Sequence, residues 1–472
     1  MRARPWSRST FLQAAGCAAL AAGTPAAAAT PAGPTLPASI AIARTSTSGA
    51  VPSALAGLSY EKRKLSSGFF NGANSTLIGC LRRLRPSIIR IGGNSVDQTT
   101  WTPGGAGMLA GLVAPADIDG LAAFAQRAGW RVIYGINLAT NTPAAAAAEA
   151  SAVATALGGN LDGFEIGNEC DLYHGNGIRP STYTLADFEA EWSTYASAIR
   201  ASVPNAPLTG PASAGRAASW TVPFASAKGN SIALLTQHYY RANGQLETST
   251  IAELLAGDPN LPDELAQLHA AANANRIAGG YRMAEANSFS HGGAPNVSDA
   301  YGTALWAIDF LLLNARNGSA GVDFHGGGNG PGYTPIADSG GAVVDVRPVY
   351  YGMLFVAQIP SGAMYRTTVR SRLPLSAYAI AGSDGTTYVA IVNKDASTTA
   401  AATIALGASA TRAQPLVLAG AGLSATSGTT LGGAGVANDG TWSPLAAQPI
   451  AVSGSSLTVN VAPASALLLA IT

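Results

Sequence analysis

The chain is poor in cysteine, in histidine and in charge. Three cysteines among 472 residues are too few to staple a fold, so stability must come from a buried core. Five scattered histidines, with no HExxH or CxxC spacing, form no zinc motif, and no metal is expected. Lys and Arg number 27 against 26 Asp and Glu, and charged residues make up only 11% of the chain. Nucleic-acid binding needs a basic surplus to displace counterions, so that class is excluded. Past the N-terminal region no apolar run reaches about 18 residues, and no membrane span is expected. Neither a GxGxxG nor a Walker loop is present, and no cofactor is expected.

What is abundant is small and apolar: 47% of residues are hydrophobic and 55 are glycine. Such a chain can bury a large core, which excludes global disorder. Arg2, Arg4 and Arg8 precede an apolar stretch over 11–20 and then Ala27-Ala28-Ala29. That order predicts a signal peptide over 1–29 and a secreted or periplasmic protein. Ser9 stands where a twin-arginine signal would carry its second Arg, so the export route stays open.

Residues 30–51 read as a linker and one short strand near 39–43 that joins a later β domain. From 52 to 359, apolar runs at 54–60, 87–91, 131–136, 161–166, 207–211, 234–240, 281–286 and 321–325 alternate with amphipathic helical patterns. Eight strand–helix units predict an α/β fold, a (β/α)8 TIM barrel. A doubly wound sheet is the runner-up, but it gives no reason for the count of eight. After Ile359-Pro360 helical periodicity fades, and short β runs at 387–392, 403–406, 415–418 and 457–461 predict a C-terminal β-sandwich over 360–472.

In such a barrel the chemistry sits where the strands end. The runs end in Ser59-Tyr60-Glu61, Gly92-Gly93-Asn94, Gly167-Asn168-Glu169, His238-Tyr239-Tyr240, Glu285-Ala286-Asn287 and His325. Acidic, amide, imidazole and phenol groups thus gather on one rim. Glu169 follows the fourth strand and Glu285 ends the seventh, so the two face each other across the mouth. Glycoside cleavage needs such a pair, one carboxyl to protonate the leaving oxygen and one carboxylate to attack the anomeric carbon. Two ordinary helix-start or ion-pair glutamates are the plainer alternative.

These stretches, with Gly57-Leu58-Ser59-Tyr60-Glu61, Ile89-Arg90-Ile91-Gly92-Gly93-Asn94 and Val322-Asp323-Phe324-His325-Gly326-Gly327, resemble family 79 glycoside hydrolases of clan A. That is the β-glucuronidase and heparanase family, and the similarity covers nearly the whole chain after the leader. The resemblance implies a retaining enzyme with Glu169 as general acid/base and Glu285 as nucleophile. It implies that Asn168 holds the sugar 2-hydroxyl, that Tyr240 and Tyr333 orient the nucleophile, and that Ser59, Glu61 and Asn94 line the subsite. The loop Ser290-His291-Gly292-Gly293 would receive the sugar carboxylate on backbone N–H groups. Ser290 stands where many relatives carry Tyr. His291 either compensates as a donor or is an exposed loop residue.

The substrate implied is a glucuronic-acid-containing glycoside or oligosaccharide, cleaved from a chain end. Endo-cleavage of a glucuronate-containing polysaccharide is the second reading, and carbohydrate binding on an inactive barrel the third. His238 reads equally as a substrate contact or a polar residue satisfied inside the barrel, and His325 reads as structural. Cys80 and Cys170 read as packed residues rather than a bridged pair. Lys62-Arg63-Lys64 and Arg82-Arg83-Leu84-Arg85 read as solvated surface, with binding of a sulfated polymer as the alternative.

Overall fold

The computed structural model describes residues 33–472. The leader expected over 1–29 therefore lies outside the described residues. The first element is strand β1 (Thr35–Val51). Eight further strands then run in chain order: β2 (Ala56–Glu61), β3 (Ile88–Gly92), β4 (Arg131–Ile136), β5 (Leu161–Ile166), β6 (Leu208–Ser213), β7 (Leu234–Tyr240), β8 (Tyr281–Asn287) and β9 (Ser319–Gly326). All eight pair in parallel, each with its chain neighbour, and β9 pairs back onto β2. The sheet is a closed barrel, as the spacing predicts.

A parallel barrel is covered by helices outside and filled by side chains inside, so its strands must be apolar on both faces. Every residue of β3 and of β8 is buried, and β7 is buried up to its last residue. The covering helices include α1 (Ser75–Arg83), α2 (Pro115–Ala128), α3 (Pro143–Leu157) and α4 (Leu185–Ser202). Their starts are written locally. Asn74 accepts from the Leu77 N–H, and Thr184 and Asp187 form a reciprocal capping box. The helix Pro348–Ala357 was not legible as one. All ten of its residues are buried, so it carries no polar stripe to reveal a helical period.

The C-terminal domain is β throughout, built from strands such as Gly362–Ser371, Leu375–Gly382, Thr387–Asn393, Thr399–Ala419, Ile450–Val461 and Ser465–Ile471. The expected runs at 403–406 and 415–418 belong to one 21-residue strand. Its first part pairs with β1 and with Ile450–Val461, and its last part with Ser465–Ile471. The strand expected near 39–43 is 17 residues long and pairs antiparallel with Gly362–Ser371. Ile40, Ile42, Val389, Ile391, Ile404 and Leu469 belong to the core of this domain. Among the described residues no helix is long and apolar enough to cross a membrane.

Candidate active site

Three strand ends build the centre of the barrel mouth. Strand β8 carries Glu285 within its last three residues, buried. Strand β5 stops at Ile166 and turns at Gly167, whose φ of 82° and close approach to Cys170 admit no side chain. Glu169 follows with φ 49°, and its N–H donates to the Ala212 carbonyl at 2.9 Å. That hydrogen bond holds an unusual backbone for a residue with a side chain and points the carboxyl back over the barrel.

One carboxylate oxygen of Glu169, one of Glu285 and a ring nitrogen of His238 all lie within 4.8 Å of one another. Glu285 accepts from the Tyr240 hydroxyl at 2.8 Å and from Arg90 Nη1 at 2.7 Å. His325 Nδ1 lies 3.5 Å from the same carboxylate and 3.0 Å from Ser59 Oγ. Burial pushes the Glu285 carboxyl up. The imidazoles of His325 and His238, the Arg90 guanidinium and the Tyr240 hydrogen bond outweigh it and hold this group well below the usual carboxylate range. Burial and the neighbouring Glu285 charge push the Tyr240 phenol up, so it stays a donor.

Arg90 is fully buried and is shared. Its Nε donates to Glu165 at 2.5 Å, and its Nη2 to the Asn168 side-chain oxygen at 2.8 Å. Asn168 in turn donates to Asn94 at 3.3 Å. A Cβ on Gly92 would fall 2.3 Å from the guanidinium, so the glycine makes room for it. On the far side of the mouth, Glu61 accepts from the Ser95 N–H at 2.8 Å and faces His325 Nε2 at 3.9 Å. The Tyr333 ring packs against those of Tyr240 and His325, with centroids 5.9 and 6.0 Å away.

Glu169, His238 and Glu285 are also the donor set that a metal ion would need. Protein groups already serve those donors. Tyr240 and Arg90 donate to Glu285, and His238 Nδ1 meets Glu169 at 3.0 Å. A dication there would sit beside a buried guanidinium.

No family model matches the chain. It is 27% identical over 349 residues to the beta-glucuronidase of Aspergillus niger, a match covering 65% of this chain and 63% of that protein. The chain is a β-glucuronidase homologue. A second match, 33% identical over 125 residues, is to a beta-glucuronidase of Neurospora crassa and covers 23% of this chain and 22% of that one. The chain thus spans less than two thirds of the length of the curated relatives it matches. Among solved structures, a 4-O-α-L-rhamnosyl-β-D-glucuronidase from Fusarium oxysporum superposes with a TM-score of 0.78 at 20% identity, over 92% of this chain and 100% of that one. A family 51 arabinofuranosidase from Xanthomonas axonopodis superposes with a TM-score of 0.69 at 15% identity, again over 92% and 100%. These two likenesses show the fold.

In this homologue, the residues singled out from sequence fall into three groups. Glu169, Glu285, Asn168, Tyr240, His238, Ser59, Glu61, Asn94 and Tyr333 gather at the mouth. His238 is wholly buried behind Glu169, and its Nε2 has no partner among the described residues. Gly292 reaches the wall of a cavity beside Tyr333, while Gly293 is buried against Ser298. Ser290 and His291 bond each other at 2.9 Å and do not line that cavity. Cys80 and Cys170 are both free and buried, and burial pushes both thiols up.

Two readings are corrected. His325 sits against Glu285 rather than serving only as structure, because the eighth strand ends directly under that carboxylate. Lys62 is not solvated. It is buried and paired with Glu149 at 2.7 Å. Arg90 and Glu165 were missed, although a charged residue flanked by apolar neighbours within a strand run is a usable signal. A charge at such a position has to be paired.

Proposed function

We propose that the protein hydrolyses β-glucuronides from a chain end, with retention, by double displacement. The observation that carries this reading is the approach of Glu169 and Glu285 to within 4.8 Å across the barrel mouth. Retaining glycosidases hold their carboxyls about 5–5.5 Å apart, whereas inverting ones need about 6.5–9.5 Å to seat a water. Glu285, ionised and fixed by Arg90 and Tyr240, attacks the anomeric carbon as the glycosidic bond breaks. Glu169 gives its proton to the departing oxygen. In the second step Glu169 takes a proton from water, which displaces Glu285 and releases the sugar. Glu169 is the more exposed side chain, 15% against 8%, as suits a group that must meet both leaving group and water.

Asn168 is the group next to the sugar 2-hydroxyl, where hydrogen bonds strengthen toward the transition state. Glucuronate as the sugar is supported by the relatives' activity and by the backbone of Gly292 beside Tyr333 at the cavity wall. The deciding experiment is hydrolysis of paired aryl β-glucuronide and aryl β-glucoside by the purified protein, with the first-formed anomer read by NMR. Release of the β-anomer from the glucuronide is expected. Cleavage of the glucoside alone overturns the uronate assignment, release of the α-anomer overturns retention, and inertness toward both overturns the whole reading.

A further inference from the structure

The helix Gly302–Arg316 follows the strand that carries Glu285 and returns the chain from the barrel mouth to the foot of the next strand, β9. Its last residue, Arg316, therefore stands at the end of the barrel opposite the catalytic centre. Strand β1 passes against that helix end. Gly49 lies in an irregular stretch of β1 with φ 94°, and a Cβ there would fall 2.4 Å from the Arg316 carbonyl oxygen. The glycine lets the strand close onto the helix, and a cavity of about 230 Å³ lies beside the junction. Arg316, Ser48, Tyr365, Arg366 and Tyr378 are among the residues that line it.

Two guanidiniums meet no carboxylate here. Arg366 Nε donates to Ser46 Oγ at 3.2 Å, which leaves both of its Nη groups with no acceptor among the described residues. Arg316 is exposed and lies over the Tyr378 ring at 5.6 Å. Among the described residues its guanidinium enters no ion pair or hydrogen bond. Asp309 accepts from the Tyr378 hydroxyl, but it is already paired with Lys394 at 2.7 Å. No acidic side chain lines the cavity. None occurs between Val346 and Ser383 either, a stretch that carries Arg347, Arg366, Arg370 and Arg372.

A guanidinium presents planar, fixed donors that match a carboxylate or sulfate at two points, and it stays charged in proteins. Beside the two arginines, Tyr365 is half-buried with Arg44 backing its ring at 5.4 Å, and a phenol ring gives a sugar an apolar face to lie on. Pockets for drug-sized ligands run to about 300–1,000 Å³, so this smaller space suits a single ring. We propose that the cavity is a non-catalytic site for one carboxylate-bearing sugar of an acidic polysaccharide. Arg316 and Arg366 hold the oxyanion and anchor the enzyme to the polymer whose ends it cleaves. The choice of a uronate rests on the function proposed above, whereas the choice of an oxyanion rests on the two guanidiniums.

The test compares the intact protein with an Arg316→Gln/Arg366→Gln double variant, on a β-1,4-linked polyglucuronate and on an aryl β-glucuronide. Such a polymer has few ends to enter the barrel mouth, so its binding reads the second site. With turnover stopped by Glu285→Gln, loss of the two arginines should raise Kd for the polymer about tenfold or more, the scale of one charge-assisted hydrogen bond. Lys at both positions should restore part of the affinity, and added salt should weaken binding by the parent protein. On the aryl β-glucuronide, with Glu285 in place, the double variant should keep the wild-type kcat/KM. An unchanged Kd, or a parallel loss of polymer binding, aryl activity and Tm, overturns the proposal. Inorganic sulfate that displaces the polymer as well as a glucuronate trisaccharide does, mole for mole, overturns the saccharide assignment. Arginine-dependent polymer binding by a protein that turns over no glucuronide sinks the catalytic reading and leaves this site standing.

Discussion

Arg90 donates to Glu285 across 2.7 Å from a position with no solvent exposure, and its opposite edge holds Asn168, the neighbour of Glu169. One guanidinium therefore ties the seventh strand to the end of the fourth, and it also neutralises Glu165 beneath them. The spacing of the two carboxyls is set by this shared donor as much as by the strands that carry them.

Arg90→Lys should be far from conservative. A single ammonium cannot serve Glu165, Glu285 and Asn168 in three directions at once. Breaking a buried pair by removing one partner costs about 3–5 kcal/mol. A clear fall in Tm by calorimetry is expected, with kcat/KM on an aryl β-glucuronide down roughly 100-fold or more. Wild-type values for both would show that Arg90 does not organise the site.

The two carboxyls should fail differently. Glu285→Ala removes the attacking group, and turnover should vanish on every substrate. Glu169→Ala should keep the first step on a substrate whose leaving group needs no proton. Added azide should then raise its rate and yield the β-glycosyl azide, since azide attacks the glycosyl-enzyme without a base. Full activity of Glu169→Ala on an unactivated glycoside would remove Glu169 from the acid/base role.

Tyr240→Phe deletes one donor to the nucleophile and leaves the ring in place against Tyr333. A hydrogen bond to a charged group is worth about 1.5–3 kcal/mol, so kcat should fall roughly 10- to 100-fold with Tm little changed. A loss confined to KM would instead place the phenol on the substrate.

Glu264 offers a pH test away from the catalytic centre. Its carboxyl is pushed up to about 7 by burial and by the neighbouring Asp258, and its Oε1 is buried with no partner among the described residues. The folded value lies above the unfolded value of about 4.3, so folding favours the protonated form. Its contribution to stability is complete below pH ~4.3 and is lost as pH rises to about 7. Glu264→Gln should therefore raise Tm more at pH 8 than at pH 4. An equal gain at both values would show that ionisation of this group carries no cost in the fold.

Much of this arrangement was legible in advance because strands of a parallel barrel are apolar on both faces. Eight such runs stood out against amphipathic helices, and the polar residues closing each run marked the mouth. Glu169 and Glu285 could be named for that reason alone. The β domain was less legible, since strands such as Gly362–Ser371 bury few of their residues and carry Arg and Thr along an exposed face. Partial burial of that kind leaves little contrast in a sequence rich in small residues.

The sequence by itself determined the alternation of elements, the strand ends and the two acids, because burial and periodicity are local and leave their mark on neighbouring residues. Only the tertiary structure decided which charges meet. That Arg90 serves Glu285, that His325 lies beneath the same carboxylate, and that Lys62 turns inward while Arg63 is exposed all depend on closure of the sheet. Closure brings residues 195 and 266 positions apart within hydrogen-bond reach, and pairing over that separation is a property of three-dimensional packing that no local pattern records.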